Sequence, residues 1–135
     1  MTVQEIYINE QVVKGRVRGL TVDQYASADL FVQGVLWNCS ARIEKNHVTG
    51  VLEPKGNCTE IGLIRYLMAA GISVQDIIRE KEGKILQTIP FNSRRKRAST
   101  VLTLNKDSKA RVFLKGAPEI VIEYCTSYYD GSGSQ

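Results

Sequence analysis

The chain has a single histidine, His47, and three cysteines, Cys39, Cys58 and Cys125, with neither a CxxC pair nor Cys/His ligand spacing. An odd, scattered set of thiols argues against a disulfide framework, and the missing ligand pattern argues against a zinc site. His47 stands in a polar stretch with no second ligand or nucleophile nearby, so it carries no catalytic expectation. No apolar run approaches the ~20 residues that span a bilayer, and no signal peptide is visible. Asn38-Cys39-Ser40 and Asn57-Cys58-Thr59 match the glycosylation sequon, which points to a secreted chain only where such a signal accompanies it. Gly15-Arg16-Val17-Arg18-Gly19 lacks the spacing of a P-loop or dinucleotide fingerprint and reads as exposed loop. Positive charge is also thin. A net +4 over 135 residues falls short of a dedicated nucleic-acid binder, and most of the excess sits in Arg94 to Arg97.

What remains is one domain's length of mixed patterning, enough to bury a core without staples. Val3, Ile6 and Ile8 predict a strand over Met1 to Ile8, turning at Asn9-Glu10 into a second at Gln11 to Lys14. Thr21-Val22-Asp23-Gln24 fits a capping box for a helix to about Asn38, with Tyr25, Ala28, Val32, Val35 and Leu36 on its apolar face and Trp37 in packing. Asn46-His47 and Thr49-Gly50 are turn signals, with a short strand predicted over Val48 to Leu52. Asn57 caps a helix to Ala70, with Glu60 at the capping-box position and Ile61, Ile64, Leu67 and Met68 as the buried stripe. A short helix follows from Ser73 to Lys81, capped by Ser73 and Asp76. Pro118 suits the first turn of a last helix carrying Val121, Ile122 and Cys125. Residues 131–135 read as a flexible Gly/Ser tail after a domain over 1–130.

Three strands organise the chain: Lys84-Ile85-Leu86-Gln87-Thr88-Ile89-Pro90-Phe91, then Ser99 to Asn105, then Ala110 to Gly116. The links are too short for parallel crossovers, so an antiparallel meander is predicted within an α+β fold. Running up, down and up, the strands bring Phe91, the turn Ser93-Arg94-Arg95-Lys96-Arg97 and Lys115 to one end of the sheet. An aromatic face beside fixed cations is suited to a base and its phosphates.

Gly56-Asn57-Cys58-Thr59-Glu60, Phe91-Asn92-Ser93-Arg94-Arg95-Lys96-Arg97-Ala98-Ser99-Thr100-Val101 and Phe113-Leu114-Lys115-Gly116-Ala117-Pro118-Glu119 together resemble the nucleotide-binding domain of P-type cation-pumping ATPases, particularly plasma-membrane-type calcium pumps. Each motif is weak alone; three in this order are specific. The resemblance implies an antiparallel sheet with flanking helices that binds ATP. Phe91 would stack on adenine, Glu60 would lie near its amino group, Lys115 and Gly116 would line the pocket, Lys96 would face the phosphates, and Arg95 is a further family-like binding residue of that turn. In such pumps ATP is presented to an aspartate in a separate phosphorylation domain, within a DKTGT motif that does not occur in this sequence. The implied piece therefore binds ATP without hydrolysing it, and Mg2+ belongs largely to the phosphates and the other domain. It is expected to be a monomeric cytosolic part of an integral membrane protein, to lack a last helix and strand, and to partner the phosphorylation and actuator domains. On this reading the sequons are coincidental. Ser93 departs from family members that carry arginine there. A second reading uses Arg94 to Arg97 as a nucleic-acid or acidic-partner patch, and Lys96-Arg97-Ala98-Ser99 also resembles a basophilic-kinase site.

Overall fold

The computed structural model describes residues 2–15, 20–21, 23–103, 109–132 and 134; the predicted loop at 16–19 lies outside them, as does Val22. Strands β1 (Glu5–Ile8) and β2 (Gln11–Lys14) form a two-residue hairpin with Ile8 opposite Gln11. Asn9 and Glu10 both take positive φ, 47° and 61°, the turn geometry that matches strand twist. β1 starts at Glu5, so the predicted first strand is shortened.

The next helix departs further from expectation. Thr21 makes only a turn, its carbonyl accepting from the Gln24 and Tyr25 amides at 3.0 and 2.9 Å. Helix α1 runs Ala28–Trp37, and Ser27, not Thr21, stands before it. Both the Ser27 amide and its hydroxyl donate to Asn9 Oδ1, at 3.1 and 2.8 Å. A side chain from the hairpin turn thus holds the start of α1, a tertiary contact that local capping signals do not contain. Asn9 Nδ2 also donates to the Asp130 carbonyl at 2.7 Å, tying the C-terminal segment to the same point. There the Asp130 carboxylate accepts from the amides of Ser132 and Ser134 at 2.8 and 3.0 Å.

Strands β3 (Arg42–Lys45) and β4 (Leu52–Lys55) form a second hairpin. The strand predicted over Val48 to Leu52 is displaced, because Asn46 Oδ1 takes the Val48 and Thr49 amides and bends the chain there. Val48 is left 94% exposed. Helix α2 (Cys58–Ala69) begins at Asn57 as predicted, with Asn57 Oδ1 accepting from the Thr59 amide at 2.8 Å. Ile64 and Leu67 are fully buried, but Met68 turns outward and Tyr66 takes the inward place. Helix α3 (Val74–Lys81) follows, its Ser73 hydroxyl donating to Asp76.

The meander is present as β5 (Ile85–Asn92), β6 (Arg97–Thr103) and β7 (Ala110–Gly116), antiparallel in the order β5-β6-β7. Burial alternates along β6, with Ala98, Thr100 and Leu102 turned to the core. Leu36 of α1, Ile64 and Leu67 of α2 and Leu102 of β6 are its fully buried centre. Trp37 joins three elements: its indole donates to the Ile77 carbonyl at 3.2 Å and its ring meets Phe113 edge to face at 5.9 Å.

The last helix is shorter than expected. α4 is a single turn, Pro118–Val121, continuing as a 3-10 turn over Ile122–Tyr124. Ile122 is 69% exposed and Cys125 is also exposed, so these residues do not pack on the sheet as predicted. Tyr124 instead lies under the Arg97 guanidinium, 5.0 Å from ring centre to cation. The cysteines are free thiols, as expected.

Candidate functional site

The site is assembled where the start of α2 meets the end of α1 and one end of the meander. Gly56, at φ +144°, allows this approach: a Cβ there would stand 3.0 Å from Ala41 Cα. With Asn57 already capping α2, the Glu60 side chain does not fold back on the helix. Its Oε2 accepts from the Ser40 hydroxyl at 2.7 Å, the Ala41 amide at 3.0 Å and the Ser40 amide at 3.2 Å. Its Oε1 accepts from the Lys115 ammonium at the end of β7. The capping-box geometry is therefore replaced by a longer-range set of donors. Burial by itself raises the Glu60 pKa, but hydrogen bonds from Lys115 and Ser40 and the Lys115 charge outweigh it and hold the carboxyl below its ordinary 4.5.

Lys115 reaches this point because it lies opposite Ala98 in the β6–β7 register, on the inward face. Phe91 arrives from β5, on the far side of β6, and is 61% exposed. Glu60, Phe91 and Lys115 line one cavity of ≈160 Å³, together with Ser40, Lys81 and Thr100. That is below the ~300 Å³ at which whole small-molecule sites begin, so it has room for one ring system with the rest of a ligand outside. Thr100 Oγ1 donates to Asn38 Oδ1 at 3.0 Å, and Asn38 Nδ2 to the Phe113 carbonyl at 3.1 Å, which fixes the cavity floor. A broader basin of ≈650 Å³ lies against the same Cys39–Ser40 segment, between β3, α3 and β5.

Lys81, the last residue of α3, has no local motif to mark it. Its Nζ donates to the Cys39 carbonyl at 2.9 Å and the Leu36 carbonyl at 3.4 Å, holding the end of α1. Burial lowers its pKa, and burial raises that of the adjoining Cys39 thiol.

The basic turn is placed differently from Lys115. Asn92 Oδ1 takes the Arg94 and Arg95 amides at 2.9 and 3.2 Å, and Lys96 adopts φ 51° to close the turn. Lys96 Nζ lies 3.7 Å from Glu119, and Arg95 donates to the Pro90 carbonyl at 2.8 Å, so both stand at the rim and outside the cavity lining. Gly116 sits beneath this turn. A Cβ there would fall within contact of the Lys96 carbonyl and 2.9 Å from Arg97 Cα, so the glycine serves backbone approach between strand and turn. Arg95, Lys96 and Arg97 each meet one of the chain's own groups: the Pro90 carbonyl, Glu119 and the Tyr124 ring. Ser99 pairs on both sides of the central strand, opposite Ile89 and Leu114, so a kinase would have to open the sheet to reach it.

Residues 27–135 match the family described as P-type ATPase, cytoplasmic domain N. The chain is similar to plasma membrane calcium-transporting ATPase 1 of Gallus gallus, 34% identical over 98% of this chain and 11% of the relative, and to its Homo sapiens counterpart at 33% over the same shares. Calcium-transporting ATPase 9, plasma membrane-type, of Arabidopsis thaliana is 35% identical over 78% of this chain and 9% of its own length. The chain thus spans about a tenth of the length of the curated relatives it matches. Among the described residues no helix is long and apolar enough to cross a membrane. With a matched family over most of its length and relatives above 30% identity, this chain belongs to the P-type ATPase cytoplasmic N domains.

Proposed function

We propose that this domain binds ATP, with adenine in the cavity between Phe91, Glu60 and Lys115, as part of a calcium-transporting ATPase on the cytosolic side of a membrane. One observation carries the reading: an exposed aromatic ring, an ionised carboxylate and an ammonium, from three separate elements, converge on a cavity of ring size. Phe91 supplies a stacking face, and Glu60 an acceptor suited to the exocyclic amine of adenine, which guanine lacks at that position. Lys115 and Gly116 close the inner wall, while the sugar and phosphates pass toward Lys96 and Arg95 at the rim. Lys96 exchanges its distant Glu119 partner for phosphate, an ammonium being a compact and movable charge.

The parent enzyme then carries the γ-phosphate to an aspartate in its phosphorylation domain. This domain's share is to bind and orient, which makes it competent for ATP binding and silent in hydrolysis. Mg2+ arrives with the phosphates, as this cation keeps its waters and takes few protein ligands.

Amide NMR titration with ATP, with GTP as competitor and with Phe91→Ala and Lys115→Ala in parallel, tests the reading. Saturable shifts at Glu60, Phe91, Lys96 and Gly116, larger for ATP and lost in the variants, are expected. Unmoved amides in the folded protein would overturn it.

A further inference from the structure

The Cys39–Ser40 peptide is a single trans unit with a charged partner on each side. Its carbonyl accepts from Lys81 Nζ at 2.9 Å, and its N–H donates to Glu60 Oε2 at 3.2 Å. Carbonyl and N–H of one peptide are conjugated and point in opposite directions, so a cation on the oxygen makes the N–H a stronger donor. Among the described residues Lys81 has no carboxylate within ion-pair distance, and carbonyls are its hydrogen-bond partners. Glu60 and Glu82, Lys115 and the Cys39 thiol are the titratable groups that act on it. Glu60 is therefore held between two ammonium groups, Lys115 directly and Lys81 through one peptide plane.

We infer that Lys81 is a positioning residue for Glu60, polarising the Cys39–Ser40 peptide so that the carboxylate is held ionised and aimed into the cavity. The polarisation stands on contacts within the chain; its effect on nucleotide choice rests on the ATP reading above. A lysine that merely caps α1 would act on Glu60 through space alone and would not single out the Ser40 amide. A lysine that polarises the Cys39–Ser40 peptide moves the Ser40 amide more than that of Ala41.

The test is NMR on wild type, Lys81→Met and Lys81→Arg. In Lys81→Met the Ser40 amide proton is expected to move upfield by more than that of Ala41, whose N–H belongs to the next peptide. The Glu60 carboxyl carbon titrates at higher pH, and Lys81→Arg restores both. Equal displacement of Ser40 and Ala41, or an unchanged Glu60 titration, overturns the inference. Should Lys81→Met fail to fold, Lys81→Gln, which keeps a neutral donor toward the Cys39 carbonyl, takes its place: the Ser40 amide proton must again move upfield by more than that of Ala41, and equal displacement overturns the inference. In binding, Lys81→Met is expected to reduce the preference for ATP over GTP by roughly two- to tenfold, the worth of one weakened hydrogen bond. If wild type binds no ATP, the nucleotide reading fails, and the Lys81–Glu60 coupling still stands or falls on the titrations.

Discussion

Glu60 and Lys115, 55 residues apart in the chain, form an ion pair that joins the first turn of α2 to the last residues of β7. The glutamate side chain is 12% exposed and the lysine 36%, so the carboxylate is the more dependent partner. Removing the ammonium leaves a largely buried anion with only neutral donors. Lys115→Met is expected to cost about 1 to 3 kcal/mol of stability, as for other uncompensated buried groups. Urea unfolding of the two proteins checks it.

The same pair sets an acid dependence. The folded Glu60 pKa lies below its ordinary 4.5, so in the window between the two values the unfolded chain binds more protons than the folded one. The stabilisation is fully present above 4.5 and is lost as pH falls through the folded value. Thermal melts across that range should show Tm falling with acid, and a shallower fall in Glu60→Gln.

Phe91 separates binding from stability. At 61% exposure it contributes little to the core, so Phe91→Ala should leave stability within about 0.5 kcal/mol. Loss of the stacking face should weaken ATP binding by roughly 1 to 3 kcal/mol. Calorimetric titration alongside a melt distinguishes the two quantities.

Gly116 should behave in the opposite way. A methyl group there would meet Arg97 Cα and Cβ at 2.9 Å as well as the Lys96 carbonyl, all backbone or near it. Gly116→Ala is expected to destabilise by about 1 to 3 kcal/mol, the range for an overpacked site. Amide shifts concentrated at Lys96 and Arg97 would accompany the loss.

Tyr66 offers a gain. Its ring is buried under α2, and its hydroxyl finds no hydrogen-bond partner among the described residues. Tyr66→Phe removes an unsatisfied polar atom while keeping the ring, so unfolding free energy should rise by about 1 kcal/mol or stay level. A fall would show that the hydroxyl is solvated.

Much of the scaffold is written in short-range chemistry. The Asn9-Glu10 turn and the Asn57 cap are each decided by neighbours within a few residues, and each is found where the sequence places it. The common end of the meander follows from its connectivity, so strand order and link length alone bring Phe91 and Lys115 to the same end of the sheet. The start of α1 is not legible in this way, because its capping partner is Asn9, eighteen residues away. Nor is the fate of Glu60: the sequence offers it a helix-capping role, and packing hands it to Ser40, Ala41 and Lys115 instead. Lys81 is an ordinary helix-end lysine until α1 ends beside it. By itself the sequence determined the meander strands, the Asn57 cap and the family motifs, since period and local hydrogen bonding reside in adjacent residues. Only the tertiary structure decided which charges share a cavity, because that depends on burial and on partners brought together from across the chain.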